Sequence, residues 1–225
     1  MSSIKINGSG SGKLKITGTG AATLRISGGG GGWTWDPTSV GASSGITLSY
    51  GNLTATDFTY GEGQYNQSVI GTAIITPGDK KLFTVKVDSA TIFMMIGFAG
   101  DSFTAGDTLN TVGIQAPSVG VSCNGEVWLN GSMVGFGQTF TSLFDIVDIA
   151  TSDDNGGSWW YRVNGGSWSN SGNPESGTAG YPLTGVNGSI YRPAATPNFN
   201  DGLPGAWTIL GTPGGSVPSG FTFVG

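Results

Sequence analysis

Few side chains in this sequence are suited to chemistry, and they fall in three places. Asp153, Asp154 and Asn155 stand consecutively and offer carboxylate and carbonyl oxygens of the kind a calcium ion takes. The same residues, followed by Gly156 and Gly157, are what a turn between two strands requires for backbone reasons, and the turn is the favoured reading. Glu62, Glu126 and Glu175 are the only glutamates, each isolated among turn formers. Glycoside cleavage needs two carboxyl groups held roughly 5 to 9 Å apart across a cleft, and no motif pairs them. Trp33, Trp35, Trp168, Tyr181 and Tyr191 border stretches rich in Gly, Pro and Asn. Aromatic faces on loops stack sugar rings or anchor protein interfaces, and large aromatics also plug the ends of β-sandwiches. Trp168, Tyr181 and Tyr191 are the ligand-binding candidates.

The missing residues narrow the chemistry further. Histidine is absent and Cys123 is the only cysteine, which removes Ser-His and Cys-His nucleophiles, thiolate metal clusters and an intrachain disulfide. The expectation is a protein that is not an enzyme, with no catalytic residue, no metal and no cofactor. Met1-Ser-Ser-Ile-Lys-Ile-Asn-Gly8 has no apolar signal core, and no stretch approaches the roughly 20 apolar residues of a membrane helix. Synthesis in a cytoplasm, without a membrane partner, is expected.

The elements that must position these residues come in two parts. Residues 1–32 form an arm in which Ile4-Lys5-Ile6, Leu14-Lys15-Ile16 and Leu24-Arg25-Ile26 recur ten residues apart, separated by Gly, Ser and Thr. In extended backbone each triplet turns two aliphatics one way and a cation the other. Three such triplets are too few to build a core, so Ile4, Ile6, Leu14, Ile16, Leu24 and Ile26, with Lys5, Lys15 and Arg25, are assigned to assembly. The arm carries four cations and no acid, while the remainder has five cations against fourteen acids, a net −9. Without a dense Lys/Arg run or interleaved aromatics, the arm does not suit nucleic acid and better matches a solvated stripe or one complementary to an acidic protein surface.

Residues 33–225 read as strands and turns. Ile46–Tyr50 and Leu53–Thr56 flank the turn formers Gly51-Asn52, and Lys81–Val87 alternates as if one face were buried and one wet. Ile92–Phe98 is a continuous apolar run that suits a central strand. Asn124-Gly125 and Asn130-Gly131 predict two type I′ turns in a tight meander over 119–134, and Phe144–Ala150 pairs with Trp159–Val163. Of Trp159 and Trp160, alternation sends only one into a core. The stretch from 180 to 225, with six prolines, reads as loop-rich. The sum is an all-β, antiparallel two-sheet sandwich of about a dozen strands, preceded by a Gly-rich extended β arm.

Several of these pieces resemble the SPRY-like branch of the concanavalin A-like sandwiches, in the form found in bacteriophage structural proteins. The resemblance rests on Trp35-Asp36-Pro37 with the 46–56 hairpin, on Phe83-Thr-Val-Lys-Val87 before Met94-Met-Ile-Gly97, on Asp153–Gly156 leading to Trp160–Trp168 and Ser171–Pro174, and on Val217–Phe223. It covers residues 35–223; Thr84-Val85-Lys86 replaces the usual aromatic-Glu-Val pattern, and none of the matched residues is catalytic. It implies recognition through loops at one end of the sandwich. The expected role is a non-enzymatic virion protein, a capsid decoration or a head or tail fibre, anchored by the arm on a capsid or tail protein and assembled with copies of itself as a homotrimer. The alternative is a tail protein that binds a host surface glycan.

Overall fold

The computed structural model describes residues 32–40, 45–58, 67–89, 94–105, 110–154, 157–186, 190–197, 199–200 and 203–225. All but one residue of the repeat arm, including its nine assembly residues, lie outside these ranges, as do Glu62 and Asn155.

Sixteen strands are found among the described residues, most of them in two antiparallel sheets packed face to face. The first sheet runs β1 (Ile46–Ser49), β2 (Thr54–Asp57), β15 (Ala206–Ile209), β4 (Lys80–Ser89), β9 (Ile146–Ser152), β10 (Ser158–Val163) and β11 (Tyr181–Pro182). The second runs β3 (Val69–Ile70), β12 (Tyr191–Thr196), β5 (Met95–Gly100), β6 (Ser118–Ser122), β7 (Glu126–Leu129) and β8 (Ser132–Phe136). A separate small ribbon joins β13 (Phe199–Asn200) to β14 (Leu203–Pro204).

Alternation along the strands sends Phe83, Val85 and Val87 of β4, Val147 and Ile149 of β9 and Trp159 and Tyr161 of β10 inward to meet Ile96 and Phe98 of β5 and Val119 and Val121 of β6. Aromatic rings join edge to face across the core: Phe98 lies 6.1 Å from Phe83, 5.6 Å from Tyr191 and 6.2 Å from Trp159, centroid to centroid. Such contacts add stabilisation beyond area burial.

The hairpin β1–β2 and the meander β6–β7–β8 lie where the sequence places them. Only one of the two Asn-Gly pairs makes a type I′ turn, however. Asn130 and Gly131 both have positive φ (49° and 84°), whereas at the first pair only Gly125 does (89°). That loop has three residues, Cys123, Asn124 and Gly125, with Gly125 N–H bonded to Ser122 O at 2.8 Å. It is a turn closed by a glycine bulge.

The 180–225 stretch is not a run of loops. It supplies strands to both sheets, and β12, with Pro193 at its centre, sits between β3 and β5. β4 is not half wet either: Leu82 and Thr84 on its outer face are as buried as the inner residues. The last strand, β16 (Thr222–Phe223), runs parallel to the start of β4, pairing Phe223 with Leu82 in the lane that β15 leaves beyond Val85. A second hydrophobic layer of Leu82, Ala150, Trp160 and Phe221 therefore covers the outer face, so Trp159 and Trp160 are both buried, on opposite faces.

Candidate functional site

Beneath this outer cover lies a buried ion pair. Asp148 of β9 and Arg162 of β10 stand opposite one another in register and point outward. Arg162 donates from Nε and from a terminal nitrogen to one Asp148 oxygen, both at 2.8 Å, and Thr84 Oγ1 donates to the other at 2.6 Å. The backbone N–H groups of Gly214 and Gly215 add two more bonds, at 2.8 and 3.0 Å. Asp148 is fully buried and the Arg162 side chain is 6% exposed, so the charges need this complete set of partners to offset lost hydration. Glycine is required at both positions of the descending loop. A Cβ on Gly214 would lie 2.7 Å from Ile146 Cγ2, and one on Gly215 would lie 2.8 Å from the Arg162 guanidinium. Arg162 also donates to Ser216 O at 2.7 Å, which pins the C-terminal segment to the sheet.

The guanidinium supports Trp168, whose ring centroid is 4.4 Å away, a cation–π contact. Trp168 follows the turn after β10 and immediately precedes a short 3-10 turn, Ser169–Ser171. Its half-buried ring lines a shallow pocket of about 320 Å³ with Arg162, Ser167, Asn173, Glu175 and Ser216. Glu175 accepts from Ser219 N–H at 2.8 Å, and Asn173 Oδ1 accepts from Glu175 N–H at 2.9 Å. The result is an aromatic wall beside a polar rim, held rigid by the ion pair beneath it. Such a site binds by stacking and hydrogen bonding.

The structure places the other aromatic candidates elsewhere. Tyr181 and Tyr191 are 4% and 1% exposed and belong to the core. Tyr181 donates to Phe136 O at 3.1 Å and stacks on Tyr161, while the Tyr191 hydroxyl is bonded to Thr151 Oγ1 at 2.8 Å. A ligand does not reach either ring. Each stands at an inward position of a strand, although glycine and proline around them read as loop. Trp33 and Trp35 are likewise buried, edge to face at 4.9 Å. Of the three ligand-binding candidates, only Trp168 lines this pocket.

The acidic turn is held by protein partners. Lys80 bonds Asp154 at 2.8 Å and holds its carboxyl below the ordinary value, and Asp153 N–H bonds Asp79 O at 3.2 Å. No group of three or more acids or cysteines able to hold a metal ion is found among the described residues. Glu126 accepts from Trp128 Nε1 at 3.3 Å. Cys123 is buried, and burial pushes its thiol above the usual value.

Asp148 and Arg162 were not singled out by the sequence reading. The available signal was an acid and a base at the centres of two apolar strands, Ile146-Val-Asp-Ile-Ala150 and Trp159-Trp-Tyr-Arg-Val163, already expected to pair.

No family model and no curated protein sequence matches the chain. Solved structures do match its fold. The SPRY domain of human HERC1 aligns with a TM-score of 0.55 at 12% identity, over 78% of this chain and 96% of that one. The PSpry domain of TRIM65 aligns at 0.54 and 12%, over 80% and 90%. Stonustoxin aligns at 0.53 and 15% over 80% of this chain, which spans 27% of the toxin chain. The chain has a SPRY-like sandwich fold.

Proposed function

We infer that this chain is a non-enzymatic structural protein of a bacteriophage virion, a capsid decoration or head or tail fibre. Residues 1–32 anchor it and join copies into a trimer, and the sandwich projects as a recognition domain. One observation carries the reading: the described residues from Trp33 onward bury a continuous aromatic core, and the strand-forming triplets lie before its first member. A sandwich with its own core, preceded by aliphatic-cation triplets of opposite net charge, divides naturally into a displayed body and an attachment arm. The SPRY-like fold supports recognition, though fold alone does not select a ligand. Deleting residues 1–32 should leave a folded chain that is absent from purified particles; undiminished incorporation would defeat the reading.

The Trp168 pocket favours a second reading, recognition of a host surface glycan by a tail protein. An aromatic wall with Asn173, Glu175 and Ser167 at its rim suits a hydroxyl-rich ring. Trp168→Ala should weaken saturable glycan binding by about tenfold or more, the scale of one lost aromatic contact. A glycan array on which the native chain and the variant give the same signals would exclude the pocket as the lectin site.

A further inference from the structure

β8 ends the second sheet with only its short length and a bulge to blunt it. Ser132–Phe136 contains no charged residue and no proline, and Met133, Val134 and Phe136 are 49%, 40% and 63% exposed. Its register explains the exposure. Val127 points into the core, so its neighbours Glu126 and Trp128 point away from it, and Phe136 and Met133 pair with these two. A register shift between Val127 and Trp128 leaves Val134 as the extra residue. Apart from the Phe136 carbonyl, which accepts from Tyr181, the outward backbone edge of this apolar strand is, among the described residues, a template for one more strand.

Residues 1–31 supply three candidate strands, and the chain joins the body at the opposite margin of the same sheet. Trp33 packs so closely on Gly71, just past β3, that a Cβ there would lie 2.5 Å from its ring, and Trp35 bridges Gly71. From β3 to β8 is five strand spacings, about 24 Å. A body that receives its arm at one edge and offers an apolar edge at the other is a head-to-tail building block, and head-to-tail contacts close into rings where the rotation between copies closes. Charge complementarity favours the arm as the occupant: a cationic segment laid on a neighbouring body of −9 offsets the repulsion between bodies.

We propose that β8 of one copy is extended by an aliphatic-cation-aliphatic triplet from the N-terminal arm of a second copy, with Met133 and Phe136 as its apolar neighbours. This rests on the arm being an assembly segment and specifies where it docks. The test uses two full-length variants. The acceptor variant carries Met133→Glu and Phe136→Glu; the arm variant carries Asp at Ile4, Ile6, Leu14, Ile16, Leu24 and Ile26. The native chain should sediment as an oligomer, and each variant should sediment as a monomer with an unchanged denaturation midpoint, association being weakened about 100-fold or more by carboxylates buried without partners. Mixed together, the two variants should form a one-to-one dimer, since one keeps an intact arm and the other an intact edge. A monomeric native chain, or a mixture that does not associate, overturns the proposal. If the arm variant is monomeric but the acceptor variant remains oligomeric, the arm assembles elsewhere: the docking site is wrong and the assembly role of the arm stands.

Discussion

Asp148 is the residue on which the outer face depends. Asp148→Asn keeps the volume but leaves the Arg162 charge buried without its counter-ion, a change expected to cost about 3 to 5 kcal/mol. Urea denaturation measures the loss, and limited proteolysis should find new cleavage near Gly214–Ser216, the segment that the carboxylate holds. The buried phenols set the alkaline limit of stability. Burial raises Tyr161 and Tyr191 well above the ordinary tyrosine value. Their neutral forms are therefore favoured in the fold, and the stability they contribute is complete below the unfolded value of about 10 and is lost as pH rises beyond it. The part of the tyrosinate absorbance that Tyr161→Phe and Tyr191→Phe remove should appear together with loss of tertiary circular dichroism above about pH 10. If that part appeared at this pH in a still-folded protein, the burial of these rings would be contradicted. On the acid side, burial raises the Asp79 carboxyl, but bonds from the Thr76 N–H and hydroxyl, with Lys81 nearby, outweigh it and hold the group below its usual value. That contribution is present at neutral pH and disappears as pH falls below about 4.

Among the elements, β16 and the segment leading to it do what the sequence reading did not anticipate. Phe221 packs edge to face on Trp160 at 6.4 Å and, with Phe223 and Leu82, converts a one-sided sheet into a sheet buried on both faces. Phe221→Ala should cost about 3 kcal/mol. It should also shift Trp160 emission to the red as water reaches the ring; unaltered emission would mean that Phe221 is not the cover. The hairpins and meander were legible because their turn residues act locally: Asn130-Gly131 takes the two positive φ angles of a type I′ turn, although Asn124-Gly125 takes only one. β12 was not legible, since Pro193 signals a break and only its place between β3 and β5 makes a strand of it. The same holds for Tyr181 and Tyr191, whose glycine and proline neighbours suggest loops although both rings lie inward on strands.

For the whole molecule, removing residues 1–31 should leave the urea midpoint and far-ultraviolet circular dichroism unchanged, because the core cluster of the described residues, from Trp33 onward, is continuous on its own. A lower midpoint would show that the arm belongs to the body's own fold. The all-β class, the pairing of 46–57, 118–136 and 146–163 and the division of charge were determined by the sequence itself, because strand alternation, turn chemistry and charge are local properties. Which exposed-looking residues are core, that Asp148 and Arg162 meet under two glycines, and that Trp168 alone among the ligand-binding candidates lines the shallow pocket were decided by the tertiary structure. The last two depend on a segment distant in sequence, 213–224, folding back over the first sheet, and the core places of Tyr181 and Tyr191 depend on the two sheets packing together. Alternation shows that a strand has two faces, but what covers the second face is fixed only when the chain returns to it.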